Sequence, residues 1–344
     1  MYKVFFRRVL FLFPPEFSHN FSFFILNFIF SIPFVKTIFR KKYVIRNQKL
    51  SKNLFGLNFS NPVGLAAGFD KDAKLFDHFD VFGFSFIEIG TVTPKPQKGN
   101  PKPRLFRLKK DSALINRMGF NNAGVDKICN RLKKKKSNII IGGNIGKNKN
   151  TPFNQSVEDY KICFEHLFDY VDYFVLNISS PNTPKLRELQ GKKELEKLIK
   201  EVQILNSKKT NPKPVLIKIS PDLNNFQLDD VIALVEKYNI SGIVATNSTN
   251  SRDKLTIEER KINKIGLGGL TGKPITSKST ELIRYVFKQS SGKIPIIAVG
   301  GIMSVDDALD KIEAGASLIQ LYTGFVYEGP ILVKKINKAI LQKV

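Results

Sequence analysis

The segment VLNISSPNT, residues 175–183, contains the pattern that decides the fold. It begins as an apolar run and ends in serine, asparagine and threonine side chains around Pro181. A short apolar run that stops at polar residues and a proline is typical of a buried β-strand that ends in a loop. We therefore expect Asn177, Ser180 and Asn182 to lie at the carboxyl end of a strand, where α/β proteins build their active sites. A Ser/Asn/Pro turn without any function would have the same pattern.

The same strand-and-loop pattern recurs from residue 61 onward. Candidate strands lie at residues 63–67, 85–90, 138–145, 173–178, 215–219, 242–246, 294–299 and 318–322. Helical patterns lie between and after them, at residues 122–135, 157–168, 193–205, 228–238, 277–289, 305–314 and 331–341. Alternating strands and helices indicate a parallel sheet with right-handed crossovers. Eight units predict an α/β fold, a (β/α)8 TIM barrel, in preference to a doubly wound open sheet, because no GxGxxG motif follows the first strand.

Residues 1–42 differ in composition from the remainder, so we expect an N-terminal helical extension at 1–42 and a barrel domain at 43–344. The extension is rich in Phe, Leu and Ile and is flanked by basic residues. Its longest uncharged apolar stretch, residues 21–35, is shorter than the ~20 residues that span a bilayer. Pro14, Pro15 and Glu16 interrupt the signal-peptide-like pattern that begins at Arg7. We expect two short amphipathic helices in a membrane interface; a helical hairpin that covers a soluble domain is the alternative.

Composition limits the classes of partner and cofactor. The formal net charge of +25, from 55 basic and 30 acidic residues, indicates an anionic partner such as acidic lipid, although lysine-rich genome composition would also produce it. No zinc-finger or RNP-like motif supports nucleic acid. Cys129 and Cys163 both fall in predicted helices, which indicates a reducing compartment without a disulfide framework. The three histidines are far apart, so we expect no metal site.

The residues expected at the strand ends favour a flavin. They include lysines and amides, but no histidine and no carboxylate pair, which disfavours metal-assisted hydrolysis and glycoside chemistry. Gly300–Gly301 and Thr323–Gly324 follow the last two strands, where barrels frequently bind phosphate through backbone N–H groups. A cation beside a flavin would stabilise its reduced form, and Lys71 or Lys218 could supply that cation. We therefore predict flavin mononucleotide (FMN) as the cofactor.

Specific strings along the whole chain then identify a family. The chain resembles the class 2, quinone-dependent dihydroorotate dehydrogenases, and the match includes the N-terminal extension. The strings that carry the resemblance are GLAAGFDK (64–71), IEIGTVTP (87–94), PRLFRL (103–108), INRMGFN (115–121), NIGKN (144–148), NISSPNT (177–183), GGLTG (268–272) and VGGI (299–302).

The resemblance implies oxidation of dihydroorotate to orotate, the redox step of pyrimidine synthesis. A base removes the proton from C5, and C6 delivers hydride to FMN. Ser180 matches the family's base and Thr183 is the neighbour expected to assist it. Ser179 is the alternative, but neighbours on a strand point in opposite directions. The implied substrate ligands are Lys71, Asn116, Arg117, Met118, Gly119, Phe120, Asn177, Asn182, Asn247 and Ser248. The implied flavin contacts are Ala67, Gly68, Phe69, Asp70, Lys71, Thr91, Asn144, Asn177, Lys218, Thr246, Gly272, Gly301, Thr323 and Gly324.

The resemblance also gives the extension a role. In the family, N-terminal helices form an apolar tunnel through which a membrane quinone reaches the flavin, and His19, Arg107 and Tyr322 match polar residues at its inner end. Phe69 stands where a leucine is expected. We therefore predict a peripheral membrane protein, a monomer, on an anionic lipid surface at the cytoplasmic side of the inner membrane.

Two alternatives remain at this point. A dihydrouridine synthase, another FMN barrel, would act on RNA but would need a catalytic cysteine in a strand-end loop. A lipid-binding protein built on an inactive barrel would explain the extension but not the polar residues at Lys71, Asn177, Ser180 and Lys218.

Overall fold

Eight parallel strands close into a barrel in the computed structural model, which describes residues 2–343. In the described residues the strands, in order, are β1 (Lys52–Leu54), β2 (Leu57–Phe59), β3 (Val63–Leu65), β4 (Phe86–Val92), β5 (Leu105–Leu108), β6 (Ala113–Asn116), β7 (Ile140–Ile145), β8 (Tyr173–Asn177), β9 (Val215–Ile219), β10 (Gly242–Ala245), β11 (Gly269–Gly272), β12 (Ile296–Val299) and β13 (Leu318–Leu321). The barrel order is β3-β4-β7-β8-β9-β10-β12-β13, and β13 pairs with β3 to close it. The predicted (β/α)8 barrel is thus confirmed.

Helices surround the barrel. They are α1 (Arg7–Leu10), α2 (Pro15–Ser31), α3 (Val35–Tyr43), α4 (Val125–Leu132), α5 (Ser156–Leu167), α6 (Lys192–Ser207), α7 (Asn225–Lys237), α8 (Glu259–Ile265), α9 (Thr276–Gln289), α10 (Val305–Glu313), α11 (Thr323–Glu328) and α12 (Ile331–Lys343). The first barrel unit has a 3-10 segment, Phe76–Phe82, where the others have an α-helix. The barrel strands are almost completely buried, as parallel strands covered by helices on the outside must be.

Capping residues set several helix boundaries. Helix α10 begins at Val305, as predicted, because Ser304 and Asp307 form a reciprocal capping box. Asn224 and Gln227 form the same arrangement at the start of α7, three residues before the predicted start. Helix α4 is shorter than the predicted 122–135, since Gly124 has φ +83° and cannot continue a helix.

A three-stranded antiparallel sheet, β11-β6-β5, was not predicted. Strands β5 and β6 form a hairpin in the connection after β4, and β11 joins them from the connection between β10 and α9. Each strand has four residues, too short for a clear alternation of polar and apolar side chains. The sheet carries Asn116 and Gly272, two of the predicted site residues.

The N-terminal extension is a set of three helical segments rather than the two predicted helices. A π-helical turn, Tyr2–Phe6, continues into α1, and the chain then forms the α2–α3 hairpin. Phe30 makes edge contacts with Phe39 and Phe82 at centroid separations of 5.2 and 5.7 Å. Burying such a ring contributes roughly 1.5–3 kcal/mol, so this face fixes the hairpin on the barrel. Helix α3 ends at Tyr43; the domain boundary at residue 42 stays a prediction.

The other face of the extension remains apolar and exposed. Its exposed side chains are Val4, Phe5, Phe6, Val9, Leu12, Phe13, Phe17, Phe21, Phe24, Phe28, Ile32, Phe34 and Ile38. Across residues 2–343, no single helix has the length and apolarity to cross a membrane. Within these residues, one pair of helical segments, Tyr2–Leu10 and Pro15–Ser31, meets both criteria when the two are taken together. The chain bends by 119° between them.

Candidate active site

The carboxyl ends of the barrel strands and the β11-β6-β5 sheet surround a cavity of about 950 Å³, a volume that includes its open mouth. Most of the predicted site residues line it: Ala67, Gly68, Lys71, Thr91, Asn116, Met118, Gly119, Phe120, Asn177, Ser180, Asn182, Lys218, Thr246, Asn247, Ser248, Gly272, Gly301, Tyr322, Thr323 and Gly324.

Seven predicted residues do not line the cavity: Arg107, Arg117, His19, Phe69, Asp70, Asn144 and Thr183. The side chain of Arg117 turns away, because its guanidinium donates to the carbonyls of Ile265 and Leu267 and stacks 4.7 Å from the Phe106 ring centroid. The main-chain N–H of Arg117 donates to the Arg104 carbonyl at 2.8 Å.

Asp70 and Asn144 act behind the cavity wall. The Asp70 carboxylate accepts from the backbone N–H groups of Lys74 and Leu75 at 2.8 and 2.7 Å, and burial raises its pKa to about 6. Asn144 accepts from Thr91 Oγ1 at 2.5 Å and from Asn177 Nδ2 at 3.1 Å. Asp70 therefore shapes the turn after β3, and Asn144 orients two side chains that do line the cavity.

The two serines that follow strand β8 have different surroundings. Ser180 lines the cavity, and its Oγ accepts from the Asn182 N–H at 3.3 Å. Ser179 is completely buried, and its Oγ accepts from Asn247 Nδ2 at 3.0 Å. Thr183 is buried, and its Oγ1 has no hydrogen-bond partner among residues 2–343. Of the two serines, only Ser180 can therefore reach a ligand in the cavity.

Amide side chains near Ser180 form two hydrogen-bonded sets. Asn247 Nδ2 donates to Asn177 Oδ1 at 3.2 Å, and Asn182 Nδ2 donates to Asn116 Oδ1 at 3.1 Å. Asn177 Nδ2 donates to Thr91 Oγ1 at 2.7 Å. These contacts fix which amide atoms face the cavity, so that the wall offers both donors and acceptors to a planar polar ligand.

Lys71 places a cation in the cavity wall. Its Nζ donates to Asn121 Oδ1 at 3.0 Å. Desolvation, together with the nearby Arg104 guanidinium, lowers the pKa of Lys71 to about 8. Arg104 in turn forms a 2.6 Å ion pair with Glu16 of helix α2. The extension thus contributes a carboxylate that partly offsets the positive charge beside Lys71.

The segment 116–120 is held over the cavity by residues that sequence reasoning did not identify. Gln97 Nε2 donates to the carbonyls of Gly119 and Phe120, both at 3.1 Å. Asn100 Nδ2 donates to the Arg117 carbonyl at 3.0 Å. Gln97 lies in an exposed-looking Pro/Lys/Gly-rich stretch, and nothing in its local pattern indicated this contact.

The glycine pair after β12 forms a close-packed turn. Gly300 and Gly301 have φ of +114° and +75°, a region that favours glycine. A Cβ on Gly301 would meet the Thr276 main chain, and Thr276 Oγ1 donates to the Gly301 carbonyl at 2.7 Å. The turn therefore brings the backbone to the start of helix α9, where the helix dipole favours an anion.

Two of the three predicted quinone residues are connected through Phe69. The His19 ring lies 5.4 Å from the Phe69 ring, and the Tyr322 ring lies 5.6 Å from it on the cavity side. Desolvation and the nearby Lys71 lower the pKa of His19 to about 4, so its imidazole is neutral near pH 7. Arg107 instead lies against the segment that follows helix α1: it donates to the Phe13 carbonyl at 2.7 Å, and its guanidinium lies 4.5 Å from the Phe11 ring centroid.

Comparison with known proteins identifies the family. A family model described as dihydroorotate dehydrogenase matches residues 49–344. A relative from Christiangramia forsetii, named dihydroorotate dehydrogenase (quinone), is 56% identical over 343 residues, which cover 100% of this chain and 99% of the relative. A relative of the same name from Nostoc punctiforme is 47% identical over 315 residues, covering 89% of this chain and 82% of the relative.

Solved structures agree with this result. The crystal structure of DHODH from Eimeria tenella in complex with ferulenol has a TM-score of 0.86 and 35% identity, and the match covers 96% of this chain and 91% of that one. The ligand-free form has the same TM-score, 36% identity and coverage of 95% and 94%. The protein therefore belongs to the dihydroorotate dehydrogenase family.

Proposed function

We propose that this protein oxidises dihydroorotate to orotate, with FMN as hydride acceptor and a membrane quinone as final electron acceptor, in pyrimidine biosynthesis. The observation that carries the proposal is the position of Ser180. It lines the same cavity as the asparagine side chains and the Gly300–Gly301 turn. Relatives along the full chain bear the name dihydroorotate dehydrogenase (quinone), which agrees with this reaction.

The residues present fit FMN. Gly301 and Gly324 let the backbone pack closely against Thr276 and the Ile302 carbonyl, because a Cβ on either glycine would collide with those main-chain atoms. Their backbone and the start of α9 suit a phosphate, and Thr246, Lys218 and Thr91 line the region where the rings would lie. When bound, FMN would take the hydride from dihydroorotate and pass the electrons on to the quinone.

Ser180 would remove the proton from C5 of the substrate. A serine hydroxyl is a weak base at its ordinary pKa, so it needs a neighbour that stabilises its ionised form or relays its proton. Thr183 is the candidate three residues away, and its buried Oγ1 has no partner among the residues described. The same hydroxyl pair would then carry the proton away from the substrate towards solvent.

The amides and Lys71 would orient the substrate. Dihydroorotate is a cyclic imide with alternating donors and acceptors, which suits Asn116, Asn177, Asn182 and Asn247. Its carboxylate would pair with the ammonium of Lys71. The segment 116–120, tied down by Gln97, would close this site from the outside.

The N-terminal extension would deliver the quinone. Quinones reside in the bilayer, and the exposed aromatic face of α2 suits a membrane interface. Aromatic rings lead from that face inward: Phe23 lies 4.3 Å from His19, which is linked through Phe69 to Tyr322. We therefore infer peripheral attachment to anionic lipid at the cytoplasmic side of the inner membrane, as a monomer.

The dihydrouridine synthase alternative lacks its nucleophile within the described residues. Cys129 and Cys163 are both buried in helices α4 and α5, and neither lines the cavity. Burial also raises the pKa of both thiols, to about 11 for Cys129, which makes them poor nucleophiles.

The test is a pair of half-reactions on the purified full-length protein. Anaerobic dihydroorotate should bleach the absorbance of a bound flavin, and a short-chain quinone should then restore it. A protein that neither contains nor takes up flavin would contradict the proposal. If dihydroorotate reduces the flavin but quinone does not reoxidise it, the dehydrogenase activity is supported and the proposed quinone step is contradicted.

A further inference from the structure

A carboxylate lies buried beneath the candidate flavin site. Glu88, in the middle of β4, has no exposed surface. Its Oε1 accepts from Asn144 Nδ2 at 2.7 Å, and its Oε2 accepts from Gln320 Nε2 at 2.6 Å. The Nζ of Lys218 lies 3.7 Å from Oε1, and the Lys218 side chain is 6% exposed. Two charged groups of opposite sign are therefore enclosed together in the barrel.

Stability alone does not explain this pair. Removing a carboxylate and an ammonium from water costs several kcal/mol for each ion, and apolar replacements of buried pairs are often neutral or stabilising. Barrel interiors are ordinarily filled by branched apolar side chains. The pair also stands at the cavity end of the barrel, because Lys218 and Gln320 both line the cavity. A function in the cavity is the better explanation.

The hydrogen-bond and ion-pair partners of Glu88 connect it to the cavity wall. Lys218 and Gln320 reach it directly, while Asn144 holds Thr91 and Asn177, which line it. Glu88 therefore fixes three side chains from three other strands of the barrel, β7, β9 and β13. Its negative charge also reduces the positive potential that Lys218 produces in the cavity, and in a low-dielectric interior such an effect is strong.

We propose that Glu88 is a positioning residue that holds Lys218 and balances its charge, and thereby lowers the reduction potential of the bound flavin. This inference rests on the proposed function. A flavin gains negative charge on reduction, so a nearby cation favours the reduced form and a nearby anion opposes it. With both residues charged, the reduction potential would be lower than with Lys218 alone and higher than with Glu88 alone.

The substitution Glu88→Gln tests the charge with little change of shape. Gln320 Oε1 is buried without a partner among the described residues, so rotation of its amide would offer an acceptor to the new NH2 group. The neutral amide in this variant would leave the Lys218 charge unbalanced. We expect the reduced form to be favoured at least tenfold more, which for two electrons raises the midpoint potential by about 30 mV.

The measurement is a spectrophotometric redox titration of the flavin-loaded full chain. Lys218→Met should shift the potential in the opposite direction, and Glu88→Gln/Lys218→Met should return it towards the wild-type value. Asp159→Asn is the matched control: Asp159 is also a buried carboxylate, but it accepts from the Asn148 N–H and Thr151 in the loop after β7. It should leave the potential unchanged.

An unchanged or lowered potential in Glu88→Gln would overturn the proposal. If Glu88→Gln loses its flavin, the titration is repeated with Glu88→Asp, whose shorter side chain places the carboxylate farther from Lys218. An upward shift of the potential in that variant supports the proposal, and an unchanged potential overturns it. The proposed function fails separately. Wild-type protein that binds no flavin, or whose flavin dihydroorotate does not reduce, contradicts that function, whereas normal wild-type reduction with an unshifted variant removes only the role of Glu88.

Discussion

Ser180 and Ser179 are neighbours in sequence, but they face different surroundings. Ser180 lines the cavity, whereas Ser179 is enclosed and hydrogen-bonded to Asn247. We expect Ser180→Ala to retain the flavin and to slow its reduction by dihydroorotate by about 10²–10⁴-fold, the usual span for a positioned base. Anaerobic stopped-flow absorbance measures this rate. Ser179→Ala is the control, and equal slowing in both variants would argue against Ser180 as the base.

The lowered pKa of Lys71 predicts that substrate binding depends on pH, if Lys71 pairs with the substrate carboxylate as proposed. With its pKa lowered to about 8, Lys71 is an ammonium below that pH and loses its proton above it. Only the charged form attracts the substrate carboxylate. KM for dihydroorotate should therefore be flat below pH 8 and rise towards tenfold per pH unit above it. Steady-state kinetics from pH 6.5 to 9.5 test this, with Lys71→Met as the control. That variant should bind weakly with no such rise, and a rise of the same size in it would refute the assignment.

At this scale, specific motifs made most of the cavity predictable. Lys71, Ser180 and the asparagines Asn177, Asn182 and Asn247 lie in strings that follow predicted apolar strands. Asn116 came from the resemblance alone, because its strand β6 was not predicted. Glu88 was not found, since an acidic residue within the string IEIG gives no sign of what it faces. Its partners Asn144 and Gln320 lie 56 and 232 residues away, and only barrel closure brings them to it. The direction of the Arg117 side chain was not predictable for a similar reason: Ile265 at the end of α8 and Leu267 just after it supply the carbonyls to which it donates.

Among the elements, helices α9 and α10 meet at a buried lysine. Lys311 has no exposed surface, and its Nζ donates to the Thr276 carbonyl at 2.7 Å and to Ser279 Oγ at 2.6 Å. The same two residues hold the carbonyls of Gly301 and Gly300. Lys311 thus connects α10 to the glycine turn through the first turn of α9. Desolvation lowers its pKa to about 7, although Asp307 and Asp310 act in the opposite direction.

This lysine predicts a particular change of stability with pH. Below pH 7 the ammonium is charged in both states, so Lys311 adds no slope. Between about pH 7 and its ordinary value of 10.5, the unfolded chain binds a proton that the folded chain has released, so the free energy of unfolding rises with pH. The slope approaches 1.4 kcal/mol per pH unit at most. Relative to Lys311→Met, the wild type should gain stability from pH 7 to 9.5 in urea unfolding. A constant difference between the two proteins would contradict the lowered pKa.

Element patterns were predictable where periodicity was long. The eight barrel strands and the helices α4–α7, α9, α10 and α12 were predicted with small boundary differences, because apolar runs and amphipathic stretches of that length are distinctive. The 3-10 segment after β3 was not predicted, because its phenylalanines pack against the N-terminal hairpin and do not follow the spacing of an amphipathic helix.

The whole molecule combines an aromatic face on the extension with a large positive charge. Phe24 and Phe28 of α2 are 70% and 64% exposed, far more than a solvated surface favours for such rings. Part of the basic flank is already neutralised, as Arg40 pairs with Asp80 at 2.7 Å. We therefore expect apolar insertion to contribute more to lipid binding than the charge does.

Vesicle flotation separates the two contributions. The wild type should float with anionic vesicles at low salt and retain most of that binding at high salt, because screening weakens only the electrostatic part. Phe24→Glu/Phe28→Glu should abolish flotation at both salt concentrations and slow quinone turnover, while dihydroorotate still reduces the flavin at the wild-type rate. Phe226→Glu is the matched control, since Phe226 is 83% exposed on α7, outside the extension. Flotation of the wild type that disappears entirely at high salt, or survives in the double variant, would mean that the aromatic face does not enter the membrane.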